Sequence, residues 1–333
     1  MLQKWLSPLK VDPIPVLLSS GNKAIEYFTK RNLLDETVEP IDYVWQLPEV
    51  QKTFQKQQPD GTWKHTGKKT VNFPKYHYKL VETWKVYRLL VEHYEVTKEH
   101  EGSRRAAEFL FSCQTDEGDF RGMLANQYAT YYTGAILATL IKAGYENDDR
   151  VKKAFDWLLS MRQNDGGWTI PILTHKLDRQ TWLNITSTYA EPLVLDKSKP
   201  FSHNCTDMVL RAFAAHPTYR CSKVARRAAD LLKSRFFQPD VYASYQDARY
   251  WVRFRFWWTN IVTSLDSLSL IGYSKDDTDV KEALRWLVEN QLPNGLWKMD
   301  YAQGAKEKVG VTSEKLWLAL SVARIFKRFY EKI

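Results

Sequence analysis

The sequence predicts an all-α fold built from paired helices, and three observations support this prediction. Apolar residues recur at three- and four-residue spacing, as in Val151, Ala154, Phe155 and Leu158, which places them on one face of a helix. A block of sequence features recurs along the chain at intervals that suit a helix pair. No segment shows the strict alternation of apolar and polar residues that indicates β-strands.

The recurring block is clearest in two segments. One runs from Gly144-Tyr145 to Trp168, and the other runs from Gly272-Tyr273 to Trp297. Both carry paired acidic residues, a Val, an Ala, a Trp-Leu pair, a Gln and a Gly-containing turn in the same order. Because repeated residues serve a repeated scaffold, we interpret them as structural. Related endings occur at Gln58–Trp63 and Gln114–Phe120, with a degraded copy at Phe236–Asp240.

The repeats divide the chain into two sets of helices. We predict outer helices near residues 21–31, 48–57, 103–114, 150–163, 222–236 and 280–291. Five inner helices are aligned by a Thr or Ser in each copy: Thr83, Thr133, Thr206, Thr259 and Ser313. A sixth inner position, near 36–47, is predicted to be short or irregular.

We predict one domain over residues 1–333, because no linker interrupts the chain. The repeat region covers about 49–330, and residues 1–48 form an N-terminal extension with the first outer helix. A closed ring of helix pairs explains how a chain of this length can remain one unit.

Composition narrows the function classes. The net charge is +9, but Lys and Arg are scattered, so we interpret the excess mainly as solvated helix faces. Nucleic-acid binding and peripheral membrane contact stay open as alternatives. Three cysteines without a CxxC pair favour neither a disulfide framework nor a zinc knuckle. We expect a cytoplasmic protein, because the sequence shows no signal peptide and no transmembrane segment.

The motifs resemble those of the prenyltransferase and squalene-cyclase repeat family. The Gln…Asp/Asn-Gly-x-Trp ending resembles the QW repeat of squalene and oxidosqualene cyclases. The segment 113–122 is similar to a turn of protein prenyltransferase β-subunits, and Tyr131–Leu137 resembles the helix that follows it in that family. The resemblance implies an α/α toroid of about five to six helix pairs around an apolar cavity, and it implies isoprenoid substrates.

Two chemistries of this family can be tested on the residues. Class II cyclases carry an Asp-x-Asp-Asp acid motif just before the inner-helix Thr, and none of the corresponding positions matches it here. Asp276–Asp279 resembles the motif but falls in a turn between helices. Protein prenyltransferases hold zinc through Asp, Cys and His, of which this chain offers only His203 and Cys205. We predict no obligatory cofactor and keep zinc or magnesium as alternatives.

The candidate acids follow from one column of the repeat. The position after the inner-helix Thr changes chemistry from copy to copy, and we infer that it faces the cavity; it holds Trp84, Gly134, Asp207, Asn260 and Glu314. Asp207 is the best general-acid candidate, followed by Glu82 and Glu314. The alternative is that Asp207 is a helix-start carboxylate bonded to the N-terminal backbone.

The candidate substrate-binding residues centre on Arg249–Trp258. Arginines there can bind a diphosphate, and the aromatic faces can stabilise a carbocation. The resemblance supports this, since prenyltransferases place basic residues just before an inner helix. The alternative is that the arginines stack on aromatic rings or that Arg249 pairs with Asp247. The predicted set is Arg249, Arg253, Arg255, Trp257, Trp258, Tyr78, Trp84, Tyr128, Tyr132, His203, Asn260 and Trp317, with Tyr131 beside it.

Three functions remain open at this point. The first is an isoprenoid-handling enzyme that resembles terpene cyclases or prenyltransferases and binds an apolar substrate, with or without a diphosphate group. The second is a catalytically inactive scaffold that binds lipid, protein or nucleic acid. The third is a carbohydrate-active enzyme with two facing carboxylates, for which Asp207 and Glu314 are the candidates.

Overall fold

The computed structural model describes residues 3–69, 73–242, 247–255, 257–306 and 310–331. Within these ranges the chain forms fifteen α-helices. They are α1 (Ile14–Leu18), α2 (Lys23–Leu33), α3 (Asp42–Trp45), α4 (Pro48–Phe54), α5 (His77–Tyr94), α6 (Glu101–Ser112), α7 (Thr130–Leu140), α8 (Asp149–Ser160), α9 (Pro171–Thr174), α10 (Arg179–Ile185), α11 (His203–Ala215), α12 (Lys223–Lys233), α13 (Ile261–Ile271), α14 (Thr278–Glu289) and α15 (Ser313–Tyr330).

The helix assignment made from the repeat is confirmed. The six predicted outer helices correspond to α2, α4, α6, α8, α12 and α14, and the five predicted inner helices to α5, α7, α11, α13 and α15. The four-residue helix α3 lies in the segment expected to be short or irregular. The fold class is all-α, because the described residues contain only isolated β-bridges and no strand.

Two details differ from the prediction. The inner helix aligned on Thr259 begins only at Ile261, because the Asn260 side chain caps it by accepting from the amides of Val262 and Thr263. The second difference is an additional segment between Trp168 and α11, which holds α9 and α10. Helix α10 has no buried residue, so it lacks the apolar periodicity from which a helix can be predicted.

The described chain divides into two compact units, and each is considered by itself. The first comprises Met1–Leu47 with Ala229–Ile333, and the second comprises Pro48–Ala228. The expectation of a single toroidal domain stays a prediction. None of the described helices has the length and the apolar run that crossing a bilayer requires.

Helix α7 lies at the centre of the second unit, where it packs against α5, α8 and α11. It is buried on nearly all sides, and a short π-helical segment, Ile141–Tyr145, continues it. Its closest approach is to α11. A Cβ added to Gly134 would lie 2.5 Å from the Cα of Val209, so only glycine fits at this crossing.

Helix α15 organises the core of the first unit. It packs against α2 and α13, and its central face is buried. Trp317 of α15 lies against Phe28 of α2, with 6.2 Å between ring centroids. The buried Lys327 donates to the Leu33 carbonyl and lies 2.6 Å from Asp35, so its charge is compensated within this unit.

The repeated Gln connects each turn to the next part of the chain. The carboxamide of Gln57 donates to the carbonyls of Gly61 and Gly102, and that of Gln114 donates to the carbonyls of Gly118 and Arg150. Gly102 and Arg150 lie at the starts of α6 and α8, so one side chain closes its own turn and holds the next outer helix. This geometry corrects the first repeat, in which Gln57 and not Gln58 is the structural residue.

The aromatic residue of each turn fixes an outer helix to an inner helix. The indole N–H of Trp168 donates to the Leu158 carbonyl at the end of α8, at 2.6 Å. The backbone N–H of Trp168 donates to the hydroxyl of Thr206 on α11, at 2.9 Å. Equivalent backbone bonds join Trp63 to Thr83 and Phe120 to Thr133. Thr83, Thr133 and Thr206 are therefore structural acceptors for the preceding turn.

Replacing Thr206 by Val tests this connection. The Trp168 amide would be buried without its acceptor, and we expect the free energy of unfolding to fall by about 1–3 kcal/mol. Denaturant unfolding measures the change. Thr188→Val, at an exposed position in the same unit, should change stability by less than about 0.5 kcal/mol. Equal effects of the two variants would contradict the assignment.

Replacing Gly134 by Ala tests the close crossing of α7 and α11. The added methyl group has no space beside Val209, and we expect a loss of about 1–3 kcal/mol even though Ala favours helix formation. Thermal and denaturant unfolding measure this loss. A variant as stable as the parent would show that the two helices are not in contact at this position.

Candidate functional site

A cavity of about 390 Å³ lies beside the first repeat turn and the start of α5. Its position follows from the sequence, because the turn after α4 brings residues 58–65 against the first turn of α5. The lining residues are Gln58, Pro59, Asp60, Thr62, Trp63, Lys64, His65, Lys69, Tyr78 and Lys79. A cavity of this size suits a small ligand. Of the predicted substrate-binding residues, Tyr78 lines it.

One ion pair lies on the cavity wall. The ammonium group of Lys79 lies 2.6 Å from the carboxylate of Asp60. The hydrogen bonds from Lys79 and from the Thr62 hydroxyl lower the pKa of Asp60 below its usual value. Asp60 therefore remains ionised at neutral pH and neutralises Lys79.

His65 lies between a carboxylate and an aromatic ring. Its Nδ1 is 3.5 Å from Oε2 of Glu82, and its ring centroid is 4.8 Å from that of Tyr78. Both His65 and Glu82 are mostly buried. The structure thus brings together two predicted site residues, Glu82 and Tyr78, around a histidine that the sequence analysis did not select.

A second polar cluster lies further along α5. Arg88 donates to the carboxylate of Glu92 at 2.7 Å. Burial of Glu92 opposes its ionisation, but the charges of Arg88, Lys142 and Arg211 outweigh that effect and lower the pKa of Glu92. Residues of α5 and α11 and the extension of α7 therefore contribute to one charged cluster.

Asp207 is fully buried on α11, and its carboxylate accepts two bonds from the Arg211 guanidinium, at 2.6 and 3.0 Å. The expected alternative, a backbone cap, belongs to a different residue, because Ser202 caps α11. A carboxyl that donates a proton would first have to give up the contact with Arg211. The general-acid role of Asp207 stays a prediction.

Aromatic rings lie next to this charged cluster. The ring of Trp84 meets that of Tyr132 edge to face, with centroids 5.9 Å apart. The guanidinium of Arg88 lies 5.6 Å from the Trp84 ring, and Tyr131 packs against Tyr132 at 4.4 Å. Trp84, Arg88 and Glu92 are spaced by four residues, so they form one stripe along α5.

Tyr128 belongs to a network at the turn before α7. Its hydroxyl donates to Glu117 at 2.7 Å, and the Arg121 guanidinium lies 4.7 Å from its ring. Burial and the Glu117 contact raise the pKa of Tyr128 to about 12. Arg121 in turn contacts the fully buried Asp119 at 2.6 Å. This network stabilises the turn, and the substrate-binding role of Tyr128 stays a prediction.

The arginine-rich segment 249–258 lies in the first unit, where Phe256 is outside the described residues. Arg249 is exposed and donates to Asp247 at 2.9 Å, which is the alternative that the sequence left open. Arg253 lies 3.4 Å from Asp300, and Arg255 donates to the Lys306 carbonyl.

The remaining predicted residues have contacts that the structure identifies. Trp257 and Trp258 stack on each other, with 4.6 Å between centroids. The Asn260 amide is used in the cap of α13, and Trp317 is buried against Phe28. Glu314 is exposed in the first turn of α15, where a negative charge favours the helix dipole. Their functional roles stay predictions.

The two candidate metal ligands lie close together in the chain. His203 and Cys205 are both buried at the start of α11. Among residues 3–69, 73–242, 247–255, 257–306 and 310–331, no three His, Cys, Asp or Glu side chains are grouped as metal ligands. The described geometry therefore offers no complete zinc site around this pair.

Sequence reasoning missed the residues that connect the predicted ones. His65, Arg88, Glu92 and Arg211 were not selected, because none belongs to a repeated column. A spacing signal could have found Arg88, Glu92 and Arg211, but not His65. Arg88 and Arg211 each lie four residues from an acidic residue on an inner helix, a spacing that predicts an ion pair on one helix face.

Comparison with known families identifies the repeats. Residues 83–191 match the squalene-hopene cyclase C-terminal domain, and residues 237–319 match the prenyltransferase alpha-alpha toroid domain. These matches confirm the resemblance seen in the motifs: the chain carries repeats of the prenyltransferase and squalene-cyclase family.

Two curated relatives are similar over short segments. The squalene–hopene cyclase of Bradyrhizobium diazoefficiens is 33% identical over 84 residues, which is 25% of this chain and 13% of that enzyme. A probable squalene–hopene cyclase of Sinorhizobium fredii is 29% identical over 98 residues, or 29% of this chain and 15% of that protein. The matched segments thus span about an eighth to a seventh of the relatives' length.

Solved structures resemble the chain at low identity. A protein from Actinoplanes has a TM-score of 0.42 at 13% identity, covering 86% of this chain and 87% of its own. The type II terpene cyclase MstE from Scytonema has a TM-score of 0.30 at 13% identity, covering 86% of this chain and 95% of its own.

The lowered pKa of Glu92 predicts a pH dependence of stability. A carboxylate whose pKa is lower in the folded state stabilises the fold above its unfolded value of 4.5, and that contribution is lost as the pH falls through the folded value. At neutral pH, Glu92→Gln should lower the free energy of unfolding. We expect a loss of only about 1 kcal/mol, because the side chain is partly exposed. The difference from the parent should shrink below pH 4.5.

Urea unfolding at several pH values measures this difference. Glu99→Gln, an exposed change of the same kind near the end of α5, is the control and should leave the pH profile unchanged. A difference for Glu92→Gln that stays constant from neutral to acidic pH would exclude Glu92 as the source.

Proposed function

We propose that the chain is an isoprenoid-handling enzyme that resembles terpene cyclases and prenyltransferases. The observation that carries the proposal is the pair of family matches, which fall on residues 83–191 and 237–319 and name squalene-hopene cyclase and prenyltransferase domains. The partial similarity to a squalene–hopene cyclase points the same way.

The aromatic residues of the second unit fit such a substrate. Trp84 and Tyr132 present an edge-to-face pair beside the guanidinium of Arg88. Aromatic faces bind apolar chains by burial and stabilise cations through their quadrupole. We propose that this pair contacts the prenyl or terpenoid chain.

The proposed proton source differs from the acid motif of class II cyclases. The inner helices lack the Asp-x-Asp-Asp motif, so Asp207 is the acid with the best position in the repeat. Its bond with Arg211 gives it two candidate roles. It donates a proton once Arg211 turns to another anion, or it remains a carboxylate and stabilises positive charge on the substrate.

The arginines of the first unit are proposed as contacts for a diphosphate. Arg249, Arg253 and Arg255 each have an acidic or carbonyl partner in the structure, and a diphosphate would have to replace it. Arg249 has 59% of its side chain accessible and is the first to be tested.

Isoprenoid binding tests the proposal directly. Native mass spectrometry of the purified chain looks for retained lipid, and tryptophan fluorescence follows titration with squalene and with geranylgeranyl diphosphate. We expect saturable binding that Trp84→Leu weakens roughly fivefold to tenfold, since the aromatic contact is lost. Trp182→Leu, on the exposed helix α10, is the matched control and should bind as the parent does.

The outcomes separate the competing functions. Binding without any product would favour the inactive scaffold, and turnover that Asp207→Asn abolishes while binding persists would support the enzyme. A preference for the diphosphate that Arg249→Ala removes would favour transfer chemistry. Absence of binding to both ligands would overturn the proposal.

A further inference from the structure

The cavity beside the first repeat turn carries an excess of positive charge. Three lysines line it, and Lys79 is neutralised by Asp60. Lys64 and Lys69 are exposed at the cavity and form no ion pair or hydrogen bond with any residue that the structure describes. Among the described lining residues Asp60 is the one carboxylate, so two ammonium groups lie at this concave site beyond the one that it neutralises.

The lining also contains apolar and aromatic residues, beside the polar Gln58 and Thr62. Trp63 and Pro59 come from the turn, and the Tyr78 ring lies against His65. The Nδ1 atom of His65 is buried and makes no hydrogen bond within the described chain, although Glu82 lies 3.5 Å away. The site thus combines a cationic edge with a ring surface, as expected for a small ligand that has a charged and an apolar end.

We propose that this cavity binds a small organic phosphate. Lysine ammonium groups bind phosphate oxygens as point charges, and a dianion neutralises both Lys64 and Lys69 whereas a single carboxylate neutralises one. The body of the ligand lies against Tyr78. The volume of about 390 Å³ limits the ligand to a small molecule.

This inference is independent of the proposed function. The isoprenoid proposal rests on family matches and on Trp84, Tyr132 and Asp207, none of which lines the cavity. Failure of isoprenoid binding would not contradict the phosphate site, and failure of phosphate binding would not contradict the isoprenoid proposal.

Calorimetric titration of the whole chain with phenyl phosphate tests the site. We expect saturable binding at about 0.15 M salt, with Lys64→Ala and Lys69→Ala each weakening it roughly threefold to fivefold. Lys68→Ala removes the same charge from the neighbouring position, which does not line the cavity, and should change the affinity less than about twofold. All three lysines are exposed, so the variants should fold as the parent does.

Two further ligands test which parts of phenyl phosphate the cavity recognises. Benzoate should bind more weakly than phenyl phosphate, because it carries one negative charge. Inorganic phosphate should also bind more weakly, because it has no ring to contact Tyr78. Equal binding of either ligand would overturn the corresponding part of the proposal. Absence of saturable phenyl phosphate binding, or an equal loss in Lys68→Ala, would overturn the site itself.

Discussion

The carboxamide of the repeated glutamine is the interaction on which the helix pairs depend. A turn that leaves an outer helix exposes backbone carbonyls, and the first residues of the next helix offer carbonyl oxygens that can accept a second hydrogen bond. Gln57 and Gln114 each donate to both at once. Gln291 does the same in the first unit, where its carboxamide donates to Gly295 and Val11 and accepts from the Val11 amide. A single side chain thus sets the spacing of neighbouring elements.

The aromatic residue of each turn adds a second connection in another direction. Its indole N–H satisfies a carbonyl at the end of the outer helix, as Trp297 does for Leu287, while its backbone N–H reaches the inner-helix Thr in three copies. Glutamine joins one pair to the next, and tryptophan joins the two helices within a pair. Cavity-lining side chains can therefore vary while these buried contacts hold the scaffold.

The difference between repeated scaffold contacts and variable site residues explains what could be predicted from the sequence. Six outer and five inner helices were predicted because each carries an apolar stripe and repeated turn residues. The insertion that holds α10 was not predicted, because a helix without buried residues has no apolar stripe. In the candidate site, Glu82 and Asp207 were selected from their positions in the repeat, and Tyr78 was selected as part of a predicted aromatic wall. Their partners His65 and Arg211 required three-dimensional contacts that no repeated column encodes.

The insertion after the third complete turn has a consequence for how such chains can change length. Gln163 donates to the carbonyls of Asp196 and Lys199, at 2.9 and 2.8 Å, and the Asn164 amide donates to Lys197. The far end of the insertion therefore returns to the glutamine that elsewhere holds the next outer helix. Because the closure entropy of a loop rises slowly with its length, residues between the two anchored ends can be gained or lost at small cost. Such a segment is a place where related proteins can acquire new surface without rebuilding the repeats on either side.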